Sequence, residues 1–422
     1  MQDNADASSR GTRSAFLVGC VYACLLLLTA TFWGFYLTRQ KSFLDYAYRT
    51  DFVGIYVGAR IVAHGHGAHL YDLNGQRAEM DQSVLPLRRS SLMAFVYPGY
   101  VAVLLHPLGN LPLSKAIVVM LLLNIAVAIW IAWIVMARFL ENFWQRLIFL
   151  LAFCSFVPLQ LTLLQNQLGL FPTLGLVQAV LALRSRQPIR AGCWMLAGLL
   201  KPQLIILPLL ALLIWRCWSA LAAFAVGTLA LTGISFAWLG WWIPRYLGFL
   251  REYSRAGPAL SLFPMAMQNW RGLVFVLFSA ESSLYWLLLA ILAFLSLIAV
   301  VYLCFRVGVP RDCSDLFTPS REFRFALVIT LGILASPHLY LHDWVLFVPA
   351  AVILWQSLAK LGCDNTLKVL LILLAASPLV FWLGQFGPRI PHIQLVPWYM
   401  GIFAVIAVFL VERIRVAQES AR

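Results

Sequence analysis

Between Glu141 and Glu252 the chain carries not one aspartate or glutamate, and a second acid-free stretch separates Asp81 from Glu141. A water-facing surface needs charges at close intervals, so a chain with these gaps cannot cover itself as a soluble globule. Composition agrees: 62% of the 422 residues are hydrophobic and 11% are charged, where soluble domains carry about 25% charged residues. The chain is therefore read as an all-α integral membrane protein. What charge remains is lopsided, 31 Lys and Arg against 17 Asp and Glu. Loops held at an anionic, positive-inside membrane face explain that excess, and nucleic acid is not expected as a partner.

About 20 apolar residues cross a bilayer. Candidate spans lie at 15–37, 92–111, 113–137, 147–163, 168–183, 191–215, 219–242, 283–305, 325–336, 344–359, 367–386 and 398–411. They predict about 12 (11–13) transmembrane helices. The first run is too long for a signal-peptide core and reads as a helix with its N-terminus in the cytoplasm. The expected layout is a cytoplasmic tail over 1–14, one membrane domain over 15–412, and a cytoplasmic tail over 413–422. Two long connections, 38–91 and 243–282, fall on the outer face.

Three candidates are broken. The 92–111 run contains Pro98 and Pro107, 191–215 contains Lys201-Pro202, and 325–336 runs into Ser336-Pro337. Broken helices at membrane depth are tolerated where they line an enclosed cavity, so they point towards a site. They also leave the first half ambiguous. Either Arg184–Arg190 share the cytoplasmic side with the 306–324 loop, which makes 191–215 a hairpin of half-helices, or each run crosses once and those arginines are outside.

Several classes drop out. There is no internal repeat, no phosphate-binding glycine loop of the Walker type and no dinucleotide fingerprint, so no cofactor is expected. Span interiors hold no Asp or Glu, which argues against ion-coupled transport. The eight cysteines form no CxxC pair, and neither a disulfide nor a zinc site is expected.

Chemistry is then sought among the outer acids and the isolated bases. Asp51 opens an apolar helix-like run, where a lone Asp also serves as a cap. Lys201 is the only charge between Arg190 and Arg216; it suits an anionic lipid phosphate, or it snorkels to an interface. Arg271 is a second candidate clamp, or an anchor beside Trp270. Ser336–Trp344 concentrates His338, His342 and Asp343. Adjacent His342 and Asp343 would point about 100° apart on a helix, so no metal is expected there. His64, His66 and His69 read as a polar turn closing the helix before them.

In order and spacing, these pieces resemble glycosyltransferase family 87, whose members include the mycobacterial phosphatidylinositol-mannoside mannosyltransferase. The matching stretches are Asp51-Phe52 with Tyr56 and Gly67–Tyr71, Phe95-Val96-Tyr97-Pro98, His106-Pro107-Leu108 with Leu111-Pro112, and Gln165-Asn166-Gln167. Further along come Ala197–Pro202, Gln268–Gly272, and Ser336-Pro337 through His342-Asp343-Trp344.

The resemblance implies a GT-C fold with an outer-face active site in a bacterial inner membrane. It implies transfer of a hexose, mannose by analogy, from a polyprenyl phosphate to a lipid or glycan acceptor, with inversion. Asp51 then matches the catalytic base, His342 a catalytic or phosphate-side histidine, and Lys201 and Arg271 the donor-phosphate positions. Tyr97, Gln167, Asn269, Trp270, His338 and Asp343 are the expected substrate-binding residues. The sequence departs from the mannosyltransferase in having Asp343 where a second histidine would stand. The competing class is a transporter or flippase of lipid-linked sugars or other lipids, which would use the same groove without chemistry.

Overall fold

The computed structural model describes residues 16–85, 90–278, 282–306 and 318–360, apart from positions 17, 32, 35–37 and 39–42. Among these residues there are helices and turns and no strand. The candidate spans 367–386 and 398–411, and both expected tails, lie outside them.

The chain opens with α1 (Val18–Thr31), α2 (Phe43–Ala47), α3 (Phe52–Ala63), α4 (Leu73–Ser83) and α5 (Gly99–Gly109). Next come α6 (Leu113–Arg138) and the pair α7 (Phe143–Ser155) and α8 (Val157–Leu164), which meet at a 51° bend. They are followed by α9 (Leu170–Arg184), α10 (Pro188–Met195), α11 (Ile206–Ile214), α12 (Trp218–Leu239) and α13 (Ile243–Ala256). Last are α14 (Trp270–Leu277), α15 (Ser283–Phe305), α16 (Pro319–Ala335) and α17 (Phe347–Lys360). Among the described residues three helices, α6, α12 and α15, are long and apolar enough to cross a membrane, and the bent α7–α8 pair makes a fourth if counted as one span.

Long-range contacts define two ends of the bundle. At one end Arg184 donates to both carboxylate oxygens of Glu322, at 2.8 and 2.6 Å, and its guanidinium lies 4.5 Å over the Phe139 ring. Gln356 of α17 joins them, bonding to Arg184 and to the Phe139 carbonyl. At the other end Asn166 donates to the Ile117 carbonyl at 3.1 Å, and Tyr56 to that of Leu111 at 2.7 Å. Thus α6 starts where α9 starts and ends where α9 ends.

This geometry resolves two of the three broken runs. With eleven residues, α5 is about 16 Å long, half of a hydrocarbon core of about 30 Å. Gly99 at its start packs on Leu239 and Trp242, and Gly109 at its end on the Ala59 backbone. Both ends stay at the Asp51 end, so 92–111 is not a crossing.

The 191–215 segment is a hairpin. Gly192 of α10 lies so close to α12 that an added Cβ would sit 2.1 Å from the Ala220 carbonyl oxygen. At the far foot Trp215 donates to the Cys304 carbonyl at 3.2 Å, at the Arg184 end. Between them two 3-10 turns, Leu196–Leu200 and Pro202–Leu204, flank Lys201 at the tip. Proline excludes the helical region for the residue before it, and Lys201 accordingly has φ −142° and ψ 70°. Arg184–Arg190 and the start of α16 therefore share one end, the first of the two arrangements read from the sequence.

Cys217 is disulfide-bonded, against the expectation of no disulfide. Spacing reports only local pairing, and Cys217 has no near partner in sequence, its neighbours being Cys193 and Cys304. Lipid offers apolar side chains no gain over one another, so close approach through small residues such as Gly192 supplies the packing. Among the described residues two large buried clusters result, one around α6, α9, α16 and α17 and the other around α3, α5 and α13, with a small third where Tyr22 meets Ile148. Gln167 and Lys201 lie where one gives way to the other: Leu168 and Leu199 belong to the second, Leu204 and Trp344 to the first.

Candidate active site

Four separate elements deliver charged and amide side chains to one place. Asp51 stands at the start of α3 in helical backbone, φ −63° and ψ −20°, and its side chain makes no capping bond. The carboxylate is instead held from across the fold: Gln167 Nε2 donates to Asp51 Oδ2 at 2.8 Å. Its other oxygen accepts no hydrogen bond among the described residues, and the residue is partly exposed.

Gln167 follows a turn in which Asn166 takes φ 50°, a left-handed conformation that asparagine tolerates better than most residues. Its backbone N–H donates to the Thr162 carbonyl. Its Oε1 accepts from Tyr97 Oη at 3.1 Å and from Lys201 Nζ at 3.3 Å. Tyr97 arrives on the extended 92–98 stretch, which crosses α3 against Gly58, where an added Cβ would lie 2.2 Å from the Phe95 ring.

Lys201 is buried and ion-paired with Asp343. It does not snorkel. Asp343, 1% exposed, also accepts from the Tyr340 backbone N–H at 3.2 Å, and His342 Nε2 lies 3.4 Å from its Oδ1. His342 and Asp343 nevertheless meet, within the 3-10 turn that residues 341–346 form. Burial drives the Asp343 carboxyl up, but Lys201 with His342 outweighs it and holds the group below the ordinary carboxylate range. Burial also lowers both imidazoles, His338 to about 4.

The Ser336–Trp344 loop is strapped to 268–271. Gln268 donates to the Leu339 carbonyl, Trp344 Nε1 to the Gln268 carbonyl, and Arg271 Nη1 to the Pro337 carbonyl at 3.2 Å. Asn269 spends its whole amide here, donating to the Ser336 carbonyl and capping α14 through Gly272. Arg271 keeps an Nε without a partner. Trp270 turns elsewhere, donating to Ser296 on α15. Asp51, Tyr97, Gln167, Lys201, His342 and Asp343 thus form one connected group. His338 and Arg271 flank it, while Asn269 and Trp270 brace the loop and α14.

Two features were not read from the sequence. Tyr253 of α13 is buried 6.3 Å from the His338 ring; its only sequence signal was the four-residue spacing from Phe249 on an amphipathic helix. The Lys201–Asp343 pair was the other, although each partner is an isolated charge in apolar sequence and such charges pair when buried. The three histidines at 64–69 do form a turn after α3, with His64 and His66 N–H bonded back to Arg60 and Ile61. Among the described residues no three His, Cys, Asp or Glu side chains converge as metal ligands.

The chain matches no curated protein and no solved structure. The model of glycosyltransferase family 87 matches residues 95–337, more than half of the chain. That span contains Tyr97, Gln167, Lys201, Asn269, Trp270 and Arg271, while Asp51, His338, His342 and Asp343 lie outside it. With its apolar helices and this match, the chain belongs to glycosyltransferase family 87 and is a membrane glycosyltransferase.

Proposed function

We propose that this glycosyltransferase has a GT-C fold and moves a hexose, mannose by the family likeness, from a polyprenyl phosphate to an acceptor hydroxyl with inversion. Asp51 is the general base. The observation that carries the reading is the state of its carboxylate: one oxygen fixed by Gln167, the other unoccupied, on a partly exposed residue at the edge of a buried polar group. Asp343 is unsuited to the task because Lys201 holds it ionised and paired.

In the reaction Asp51 Oδ1 takes the acceptor proton as the hydroxyl oxygen attacks the anomeric carbon. The bond from that carbon to the phosphate oxygen breaks, and the polyprenyl phosphate leaves with the electron pair. Preorganised donors lower the energy of the departing phosphate. Arg271, with its spare Nε–H, and His342 are the groups we assign to it. One carboxylate suffices for a single displacement.

The orientation we propose puts this site on the periplasmic or outer face of a bacterial inner membrane. Its support is the opposite end of the bundle, where Arg138, Arg184, Arg190, Arg216, Arg306 and Arg324 gather, as expected of a cytoplasmic face.

Purified protein incubated with polyprenyl-phosphate-mannose and a panel of lipid and glycan acceptors tests the assignment. Asp51→Asn is expected to lower transfer by about 10²–10⁴-fold while donor binding persists. Transfer by Asp51→Asn at the wild-type rate would remove Asp51 as the base. If neither protein transfers and the variant leaves cellular glycolipids unchanged, the transporter class is favoured.

A further inference from the structure

Gln167 joins Asp51 to a pair of charges that the reaction above leaves without a role. Lys201 is 5% exposed, Asp343 1% and Gln167 2%, so the three lie out of reach of bulk solvent. Lys201 carries donors only and a carboxylate accepts only, whereas an amide has one end of each kind. With Oε1 towards Lys201 and Tyr97 and Nε2 towards Asp51, both ends are matched. Turning the amide over would set its N–H groups against the ammonium and its oxygen against the Asp51 carboxylate. The flipped state is mismatched at both ends at once. Orientation is therefore dictated from the Lys201 side, and Lys201 is itself held in place by Asp343.

We infer that Gln167 is a positioning residue for the base, and that Lys201 and Asp343 act through it. The inference rests on the reading of Asp51 as base. Lys201 fixes the amide, and the amide aims the carboxylate by taking Oδ2, leaving Oδ1 for the acceptor hydroxyl. The ammonium also polarises the amide, which makes its N–H a stronger donor to Asp51. Neutralised by Asp343, Lys201 is not a bare cation awaiting the donor phosphate, which separates it from Arg271. The other titratable groups coupled to Asp51 are Tyr97, Tyr253, Tyr340 and His342.

The test uses membranes of a deletion strain carrying each full-length variant, labelled polyprenyl-phosphate-mannose and the endogenous acceptors, with initial rates measured over donor concentration and a pH series. Gln167→Leu should lower kcat by about 10²-fold, the scale of a small misplacement of reacting groups, with donor KM unchanged. Gln167→Glu should work on the acid side, where the introduced carboxyl is protonated and can donate to Asp51 as the amide does. It should lose activity as the pH rises, while Gln167→Leu stays low throughout. That pH-dependent rescue is not expected of a residue that only fills space, and it keeps the test decisive if Gln167→Leu does not fold.

Lys201→Met/Asp343→Leu removes both charges together and leaves no lone buried ion. Its kcat should fall about as far as that of Gln167→Leu, and combining the changes should add little. Wild-type kcat in Gln167→Leu, with Asp51→Asn inactive, would overturn the positioning role and leave the base standing. A raised donor KM in the paired variant, multiplying with Gln167→Leu, would make Lys201 a donor contact. Full activity in Asp51→Asn would fail the base reading itself.

Discussion

A lysine and an aspartate buried together each depend on the other being there. Desolvation offsets much of what the Lys201–Asp343 attraction contributes, so the pair is weak evidence of net stability, but breaking it strands a charge. Lys201→Met should therefore destabilise the protein by about 3–5 kcal/mol, and adding Asp343→Leu should recover most of the loss. Thermal melting in detergent reads both, and a single variant as stable as wild type would mean that Asp343 finds another partner. Residue types at this scale were legible. Lys201 stood out because no other charge lies between Arg190 and Arg216, and Asp51 because it opens an apolar helix. Partners were not. Asp343 lies 142 positions from Lys201, and nothing local to either marks the other. The capping role open to Asp51 is unused, and its carboxylate is met instead by Gln167, 116 positions away.

At the level of helices, the hairpin of α10 and α11 is the element that sets the site. Its tip carries Lys201, and its first leg is pressed on α12 at Gly192, where even a methyl group would meet the Ala220 carbonyl. That obstacle is backbone, which cannot swing aside. Gly192→Val should cost upwards of about 1–3 kcal/mol by overpacking, and it should lower the transfer rate because the displaced leg carries the Lys201 tip with it. Melting curves and initial rates on the same sample check this, and a variant with wild-type values for both would show that the leg has room to shift. The breaks at Pro98 and Lys201-Pro202 were visible in the sequence, because proline acts locally, whereas Pro107 sits inside α5 without ending it. Whether a broken run crosses or turns back was not, because an apolar count is blind to direction. The bonds from Trp215 to Cys304 and from Tyr100 to Leu199 settle it.

For the molecule as a whole, class was legible from composition alone, and the arrangement of ends was not. Charge counts gave a basic excess but no places for it; the fold puts Arg190 and Arg216 at the feet of one hairpin, and His66 and Pro258 at the far end. In a cysteine-free background, single cysteines at Arg190 and Arg216 should react with an impermeant thiol reagent from one side of the membrane. Cysteines at His66 and Pro258 should react from the other. Labelling of Arg190 and Arg216 from opposite sides would undo the hairpin. The long separation of Lys201 from its counter-charge also bears on how the chain is made. When the ribosome has added Lys201 at the hairpin tip, Asp343 is still 142 residues from being synthesised. Until then the tip carries an ammonium that the protein cannot neutralise in this way, and the hairpin cannot take its final seat. The site is closed by a late step of biogenesis, after α16 has been added.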